Sequence, residues 1–253
     1  MIYVERVPSG VSGLDELIQG GFPRRRSILV SGACGTGKSI LAMQFLYKGV
    51  LDYGEPGVFV TFDEMPEKLR QDMLNFGWDL TELEKNDLFA IVDATSARVG
   101  TPSEEENALL PGQLDIDRLL VEILQVCRRI GAKRLVIDSI PAMAFQLEKE
   151  SEIRKAILKL VYVVAKTGMT SILTSEVSEQ GFGTGGPIKF SKYQVEEYVA
   201  DGVIVMGFLG SGSQSTRTLY IRKLRGTKHS LEIHPIEITD QGMVVKRVED
   251  VFK

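Results

Sequence analysis

Only two cysteines occur in the 253 residues, Cys34 and Cys127. They are too few and too far apart for a disulfide framework or a zinc site, and they fit a reducing cytosol. No apolar stretch reaches the roughly 18 residues that a membrane-spanning helix needs. No basic-then-apolar leader opens the chain, so a soluble, cytoplasmic protein with no membrane partner is expected. Internal repeats and low-complexity tracts are also missing. A surplus of positive charge is absent too: the formal net charge is −4. That argues against a surface devoted throughout to nucleic acid, while leaving room for a local basic patch. What remains is ordinary globular material, 43% hydrophobic and 25% charged. It is enough to bury a sizeable core, and the length suits one α/β domain over residues 1–253. The expected parts are a lead-in over 1–26, a core over 27–208 and a β-rich extension over 209–253.

The most informative stretch begins at Ser27-Ile28-Leu29-Val30-Ser31, an apolar run of strand length. It runs into Gly32-Ala33-Cys34-Gly35-Thr36-Gly37-Lys38-Ser39, and residues 40–48 then have helix-forming character. Glycine, four variable residues, glycine, lysine and a hydroxyl, set between strand and helix, form the phosphate-loop motif in its required context. Glycines let successive N–H groups turn inward toward a β-phosphate, and the following helix N-terminus adds partial positive charge. Lys38 can reach the β- and γ-phosphates, and the Ser39 hydroxyl can ligate Mg²⁺. A nucleoside triphosphate site is predicted.

Around this motif the periodicity alternates. Residues 7–23 read as a turn, a short helix with Leu14, Leu17 and Ile18 on one face, and a second turn at Gly20-Gly21. Arg24-Arg25-Arg26 read as a solvated loop. Residues 58–62 read as a buried strand ending in Asp63-Glu64, followed by a helix with Pro66 in its first turn and Leu69, Met73, Leu74 and Phe76 at helical spacing. A strand at 88–92, a polar surface loop at 95–113 and an amphipathic helix at 116–130 follow, the last carrying Cys127 as a packing residue. Arg134-Leu135-Val136-Ile137-Asp138-Ser139 is an apolar strand ending in an acid. A helix at 148–166, a strand at 170–174 and a glycine-rich loop over 176–192 come next. Strand-like segments at 202–208, 218–224, 231–238 and 243–246 close the chain, with a hairpin tip at 210–215. Strands alternating with helices, then strands alone, predict a mostly parallel sheet flanked by helices with an antiparallel extension.

Hydrolysis of a phosphoanhydride needs a cradle, a metal, an oriented water and positive charge where negative charge develops. Asp138 ends a buried strand on the edge where parallel sheets bind ligands, so with Ser39 it is the candidate Mg²⁺ ligand. Asp63 and Glu64 end another strand. Glu64 is the candidate base for the attacking water, and Asp63 assists it or caps the next helix. Lys223 and Arg225 alternate along a strand and face one way. They can meet phosphates of a nucleotide or a nucleic acid, or form a charged edge that discourages strand aggregation.

Taken together, these segments resemble KaiC-type ATPases of the RecA superfamily over nearly the whole chain. The resemblance is carried by Pro8-Ser9-Gly10, Leu14-Asp15-Glu16-Leu17 and Gly20-Gly21-Phe22-Pro23, then by Val60 to Pro66 and Phe76-Gly77-Trp78-Asp79-Leu80. Lys223-Leu224-Arg225-Gly226-Thr227, His229 and Ile238-Thr239-Asp240-Gln241-Gly242 complete it. It implies a RecA-like phosphate-loop fold, ATP or ADP with Mg²⁺, and a ring, usually a hexamer, with nucleotide between subunits. The cradle from Gly32 to Ser39 and Asp138 would act within one subunit, with Glu64 and Asp63 serving the water. Lys223 and Arg225 would reach the neighbour's nucleotide, with Leu224, Thr227, His229 and Asp240 near its base or ribose, and Asn75 would line the nucleotide in its own subunit. There are departures. Asp63 stands where two glutamates are usual, Ala33-Cys34 replace Gly-Pro, and Arg25 replaces a small turn residue. Glu196-Glu197-Tyr198 occupy the place of a phosphorylated Ser-Thr pair. Two other readings stay open: a recombinase-like ATPase binding single-stranded DNA through the basic segments and the glycine loop, and a slow nucleotide-dependent switch for an unidentified protein partner.

Overall fold

Strand length and apolar character set the frame. The computed structural model describes residues 4–109, 116–144, 147, 149–177, 189–209 and 216–247. In the lead-in, β1 (Arg6–Val7) pairs with β2 (Phe22–Pro23), and α1 (Leu14–Leu17) lies between them with Leu14 buried. One nine-stranded sheet follows, built from β3 (Ser27–Gly32), β4 (Gly57–Thr61), β5 (Phe89–Asp93), β6 (Arg134–Asp138), β7 (Thr170–Glu176), β8 (Gly202–Leu209), β9 (Thr216–Leu224), β10 (His234–Thr239) and β11 (Gly242–Val245). Its order is β11-β10-β9-β8-β3-β7-β6-β4-β5. The six strands from β8 to β5 run parallel, and β9, β10 and β11 add antiparallel hairpins.

The parallel strands are apolar on both faces because helices cover both. Ile28 and Val30 join one core with α2 (Lys38–Tyr53), α3 (Pro66–Leu74) and α4 (Leu80–Lys85). Leu29, Val58 and Val60 join the other, with α5 (Thr95–Val99), α6 (Ile116–Arg129), α7 (Ile140–Met143) and α8 (Glu150–Thr167). The short α9 (Glu196–Val199) leads into β8. Cys127 is buried in α6, as packing requires.

The antiparallel extension folds back on the phosphate-loop helix. Gln44, buried in α2, accepts the Met243 N–H at 2.6 Å and donates to the Met243 carbonyl at 3.1 Å and the Gly10 carbonyl at 2.8 Å. One amide side chain thus ties β11 and the lead-in to α2.

Several local expectations are corrected. Residues 95–99 form α5 rather than open loop, because Ser96 and Ala97 are buried and Ser96 Oγ donates to the Leu109 carbonyl at 2.8 Å. The helix expected from 148 begins at Glu150, preceded by α7. Leu74 faces solvent, 58% exposed, since Leu69 and Met73 already fill the buried side of α3. Arg24 is not simply solvated: it pairs with Glu5 and Glu55, while Arg26 pairs with Asp201. Arg25 adopts φ 62°, the left-handed backbone where a small turn residue would be easier. Residues 178–188, which hold the four glycines of the expected loop, and the hairpin tip at 210–215 lie outside the described residues.

Candidate functional site

The phosphate loop leaves β3, which lies between β7 and β8. Glycine at 32 is set by crowding: a Cβ there would lie 2.5 Å from the Met206 carbonyl oxygen. Gly37 has φ 100°, and its Cβ would meet Met243 Cε at 2.8 Å, so both backbone and space require glycine. Thr36 Oγ1 closes the loop on the Ala33 carbonyl at 2.8 Å. Lys38 is the first residue of α2, 9% exposed, and donates to the carbonyls of Gly32 at 3.0 Å and Ala33 at 2.9 Å. Burial lowers its pKa, while Glu176 and then Asp138 oppose that shift. The loop opens onto a cavity of about 520 Å³ whose lining includes Lys38, Ser39, Asp63, Glu64 and Asp138.

These acids meet because neighbouring parallel strands end on one edge. β6 pairs with β4 in the register Thr61–Asp138, and β3 with β7 in the register Gly32–Glu176. Asp138 accepts from the Thr174 hydroxyl and lies within hydrogen-bonding reach of Ser39. Burial pushes its pKa up, and the Asp63 charge adds to that. Glu64 is half-buried and held by its backbone: Thr61 Oγ1 donates to its carbonyl at 2.7 Å and accepts its N–H at 3.1 Å. Burial raises its pKa first, then the carboxylates of Asp72 and Asp138. Asp63 does not cap α3, whose N-cap is Met65 without a side-chain bond. Its carboxylate instead accepts from Ser139 Oγ at 2.9 Å and from Arg98.

Glu176, Arg98, Ser139, Lys192 and Arg217 also line the cavity, and sequence reasoning missed them. Glu176 carried a readable signal, since it ends an apolar strand as Asp138 does. Arg217 reaches the loop by donating to the Gly35 carbonyl at 3.0 Å, a contact made by the antiparallel β9 that no local pattern announces.

A divalent metal is implied by such a loop. Among the described residues no group of three or more His, Cys, Asp or Glu side chains could hold an ion alone. Ser39 and Asp138 offer one hydroxyl and one carboxylate, and the acid's raised pKa marks a buried charge that a cation would stabilise. That donor set fits Mg²⁺, which keeps waters and takes its other ligands from phosphate.

The remaining predicted residues lie elsewhere. Lys223 Nζ donates to the carbonyls of Glu197 at 2.9 Å and Ala200 at 2.7 Å, and Arg225 stands 3.9 Å from Asp201. Neither lines the phosphate-loop cavity; Lys223 lines a second one of about 620 Å³ with Arg222, Phe190 and Tyr198. The register jumps from Val203–Lys223 to Ile204–Ile221, a bulge that leaves Arg222 and Lys223 lining the same cavity. Glu196, buried, accepts from Ser191 at 2.7 Å and Ser175 at 3.1 Å, which fixes α9 and its carbonyls. The Leu224 side chain is buried in the core, Thr227 Oγ1 accepts from Arg6 at 2.6 Å, and His229 Nδ1 donates to the Ser230 carbonyl at 2.8 Å. Asn75, exposed at the end of α3, is outside the cavity lining. Asp240 is exposed in the β10–β11 turn, two residues from Ile238, which does line the cavity.

No helix among the described residues is long and apolar enough to cross a membrane. The family model described as the KaiC ATPase matches residues 7–250. A UPF0273 protein of Aeropyrum pernix is 40% identical over 242 residues, covering 96% of this chain and 94% of that one. Another, from Pyrococcus furiosus, is 41% identical over 244 residues with 96% and 94% covered. The crystal structure of a KaiC-like protein from the hyperthermophilic archaeon Pyrococcus horikoshii OT3 superposes with TM-score 0.82 at 42% identity, covering 97% of this chain and all of that one. A phosphate loop facing strand-end acids on a mostly parallel sheet, and matches that run nearly end to end, place this chain in the KaiC ATPase family.

Proposed function

We propose that the chain binds ATP with Mg²⁺ and hydrolyses it, in a ring of like subunits that carry nucleotide at their interfaces. One observation carries the reading: Lys38, Ser39, Asp138 and Glu64, from three separate strand ends, converge on one cavity beside the phosphate loop. Loop N–H groups would bind the β-phosphate, and Lys38 would exchange its two carbonyl partners for phosphate oxygens, which are stronger acceptors. Ser39 and Asp138 would hold Mg²⁺, whose charge neutralises the phosphates when bound. Glu64 accepts a proton from water as its oxygen bonds to the γ-phosphorus. The bond to the β–γ bridging oxygen breaks, and its electron pair leaves with ADP. A base with a raised pKa suits this role, because it accepts the proton more readily.

Support for the ring comes from Lys223 and Arg225, which stand outside their own chain's phosphate-loop cavity. Cations so placed would find phosphate in a neighbour. The test mixes two inactive variants, Glu64→Gln and Arg225→Ala. If sites are shared, mixed rings regain a fraction of wild-type turnover, and wild-type activity rises with protein concentration. Turnover by a monomer with no gain on mixing would overturn the shared site, and absence of turnover in every state would overturn hydrolysis.

A second reading has its own observation. In the 620 Å³ cavity the Arg222 guanidinium lies 5.0 Å from the Phe190 ring centre, and Tyr198 is 71% exposed. Rings beside cations suit single-stranded nucleic acid, whose binding would weaken steeply as salt rises.

A further inference from the structure

Among the described cations lining the phosphate-loop cavity, Arg98 is the one paired with a candidate catalytic acid. Its backbone is well held. Thr95 donates to the Asp93 carboxylate through its N–H at 2.9 Å and its hydroxyl at 2.5 Å, the Ala94 N–H donates to the Thr61 carbonyl at 2.9 Å, and Ala94 and Ala97 are buried. The α5 helix is thus fixed to the end of β4, the strand that delivers Asp63 and Glu64. From there the guanidinium crosses to Asp63.

That pair is a weak hold. The Asp63 side chain is 54% exposed and that of Arg98 30%. An ion pair so open to water contributes at most about 1 kcal/mol. A terminal phosphate offers more negative charge and several oxygens, which the planar guanidinium can take two at a time. Asp63 would not be stranded if Arg98 moved, since Ser139 Oγ still donates to its other oxygen at 2.9 Å.

We propose that Arg98 is a catalytic residue supplied within the chain, which leaves Asp63 to grip the γ-phosphate of bound ATP and stabilises the charge on its oxygens during transfer to water. The proposal rests on the ATP-binding reading above. The atoms balance as before: water oxygen bonds to phosphorus, the bridging bond breaks with its electrons going to ADP, and Glu64 takes the proton. Arg98 exchanges only hydrogen bonds. It gives the site a positive charge independent of any neighbour, and it makes Asp63 a partner whose company differs between ATP and ADP.

The test compares wild type, Arg98→Ala, Arg98→Lys and Arg98→Gln by the affinity ratio for fluorescent ATP and ADP analogues, by trapping of ADP with aluminium fluoride, and by turnover, with melting curves to confirm folding. Arg98→Ala should weaken ATP about 10-fold while leaving ADP unchanged, as losing one charge-assisted bond to the γ-phosphate would. It should also lose aluminium-fluoride trapping and lower turnover about 10²-fold. Arg98→Lys, keeping charge without the fork, should restore part of the ATP preference, and Arg98→Gln should not. An unchanged ATP-to-ADP ratio in Arg98→Ala, with turnover within about twofold of wild type, would overturn the proposal, leaving Arg98 a surface ion pair. A wild type that does not distinguish ATP from ADP would also overturn it. If the wild type prefers ATP without hydrolysing it, and Arg98→Ala loses that preference, the γ-phosphate contact stands and the hydrolysis reading falls.

Discussion

Replacing Arg134 by alanine should be among the most damaging single changes outside the nucleotide site. Arg134 opens β6 and is fully buried beneath α2. Its Nε donates to Glu55 at 2.7 Å, and Nη1 donates to the carbonyls of Phe45 at 2.7 Å and Pro8 at 2.9 Å. The guanidinium carbon lies 4.5 Å from the Phe45 ring centre. Gly49 makes room, since a Cβ there would sit 2.5 Å from Arg134 Cδ. Burial lowers the pKa of Arg134 and Glu55 opposes the shift, and an arginine stays charged at any working pH. Removing one partner of a buried ion pair typically costs about 3–5 kcal/mol. Glu55 would keep Arg24 at 2.8 Å, so its charge is not orphaned. The Pro8 carbonyl would lose this donor, whereas that of Phe45 lies inside α2, where the helix supplies another. The expected loss is therefore near the low end, about 3 kcal/mol. At roughly 2–4 °C per kcal/mol for a chain of this size, that is a fall of about 6–12 °C in melting temperature. Urea and thermal unfolding of Arg134→Ala measure it, with Arg24→Ala, at a more exposed pair, as a control expected to cost about 1 kcal/mol. A loss under about 1 kcal/mol in Arg134→Ala, or an equal loss in Arg24→Ala, would refute the assignment of Arg134 as the buried anchor.

Two further predictions concern Glu64 and Gly242. If Glu64 is the base, as proposed, it works only when deprotonated, and its pKa is raised, so turnover should fall with decreasing pH from above the ordinary carboxylate range. Asp72→Asn removes a like charge and should move that midpoint to lower pH; a profile identical in the two proteins would contradict the coupling. Gly242→Ala would place a Cβ 2.5 Å from Gln44 Oε1 and 2.6 Å from Trp78 Cζ2, at φ 112°. It should destabilise by about 1–3 kcal/mol in thermal unfolding, by loosening the latch between β11 and α2.

The phosphate loop was legible because its requirements are local. A strand, glycines at fixed spacing and a lysine opening a helix describe the loop without reference to the rest of the chain, and Gly32 and Gly37 are needed where the motif puts them. Asp138, Asp63 and Glu64 were legible for a related reason: each follows an apolar run, and the ends of parallel strands share one edge. The α5 helix was missed because five residues are too few for helical periodicity to register, and what holds it is a hydroxyl reaching Leu109. Alternation along residues 222–225 placed Lys223 and Arg225 on one side, and both reach the Tyr198 carbonyl at 3.5 Å. It gave no sign of Arg222, which the bulge beside Val203 sets next to Lys223 on one cavity.

Arg98, Glu176 and Arg217 mark the harder limit. Arg98 and Arg217 are unremarkable in their own stretches of chain, Glu176 stands out only as a strand-ending acid, and each reaches the cavity through the strand order. β7 comes fifth among the sheet's strands in sequence yet lies directly beside β3, which puts Glu176 opposite Gly32. β5 lies outside β4 at the sheet edge, so the helix after β5 can send Arg98 across to Asp63. β9 lies antiparallel to β8, and that reversal brings Arg217 to the Gly35 carbonyl. A motif names residues that meet phosphate from within one segment. Residues that meet it from elsewhere are chosen by which strands become neighbours, and that depends on how apolar faces are covered rather than on any charged residue. The cations around such a site are therefore the part of its chemistry least visible in sequence. Arg98, sent to Asp63 from the helix after the edge strand, is where that limit can be tested most directly, because its place at the site rests on strand order alone.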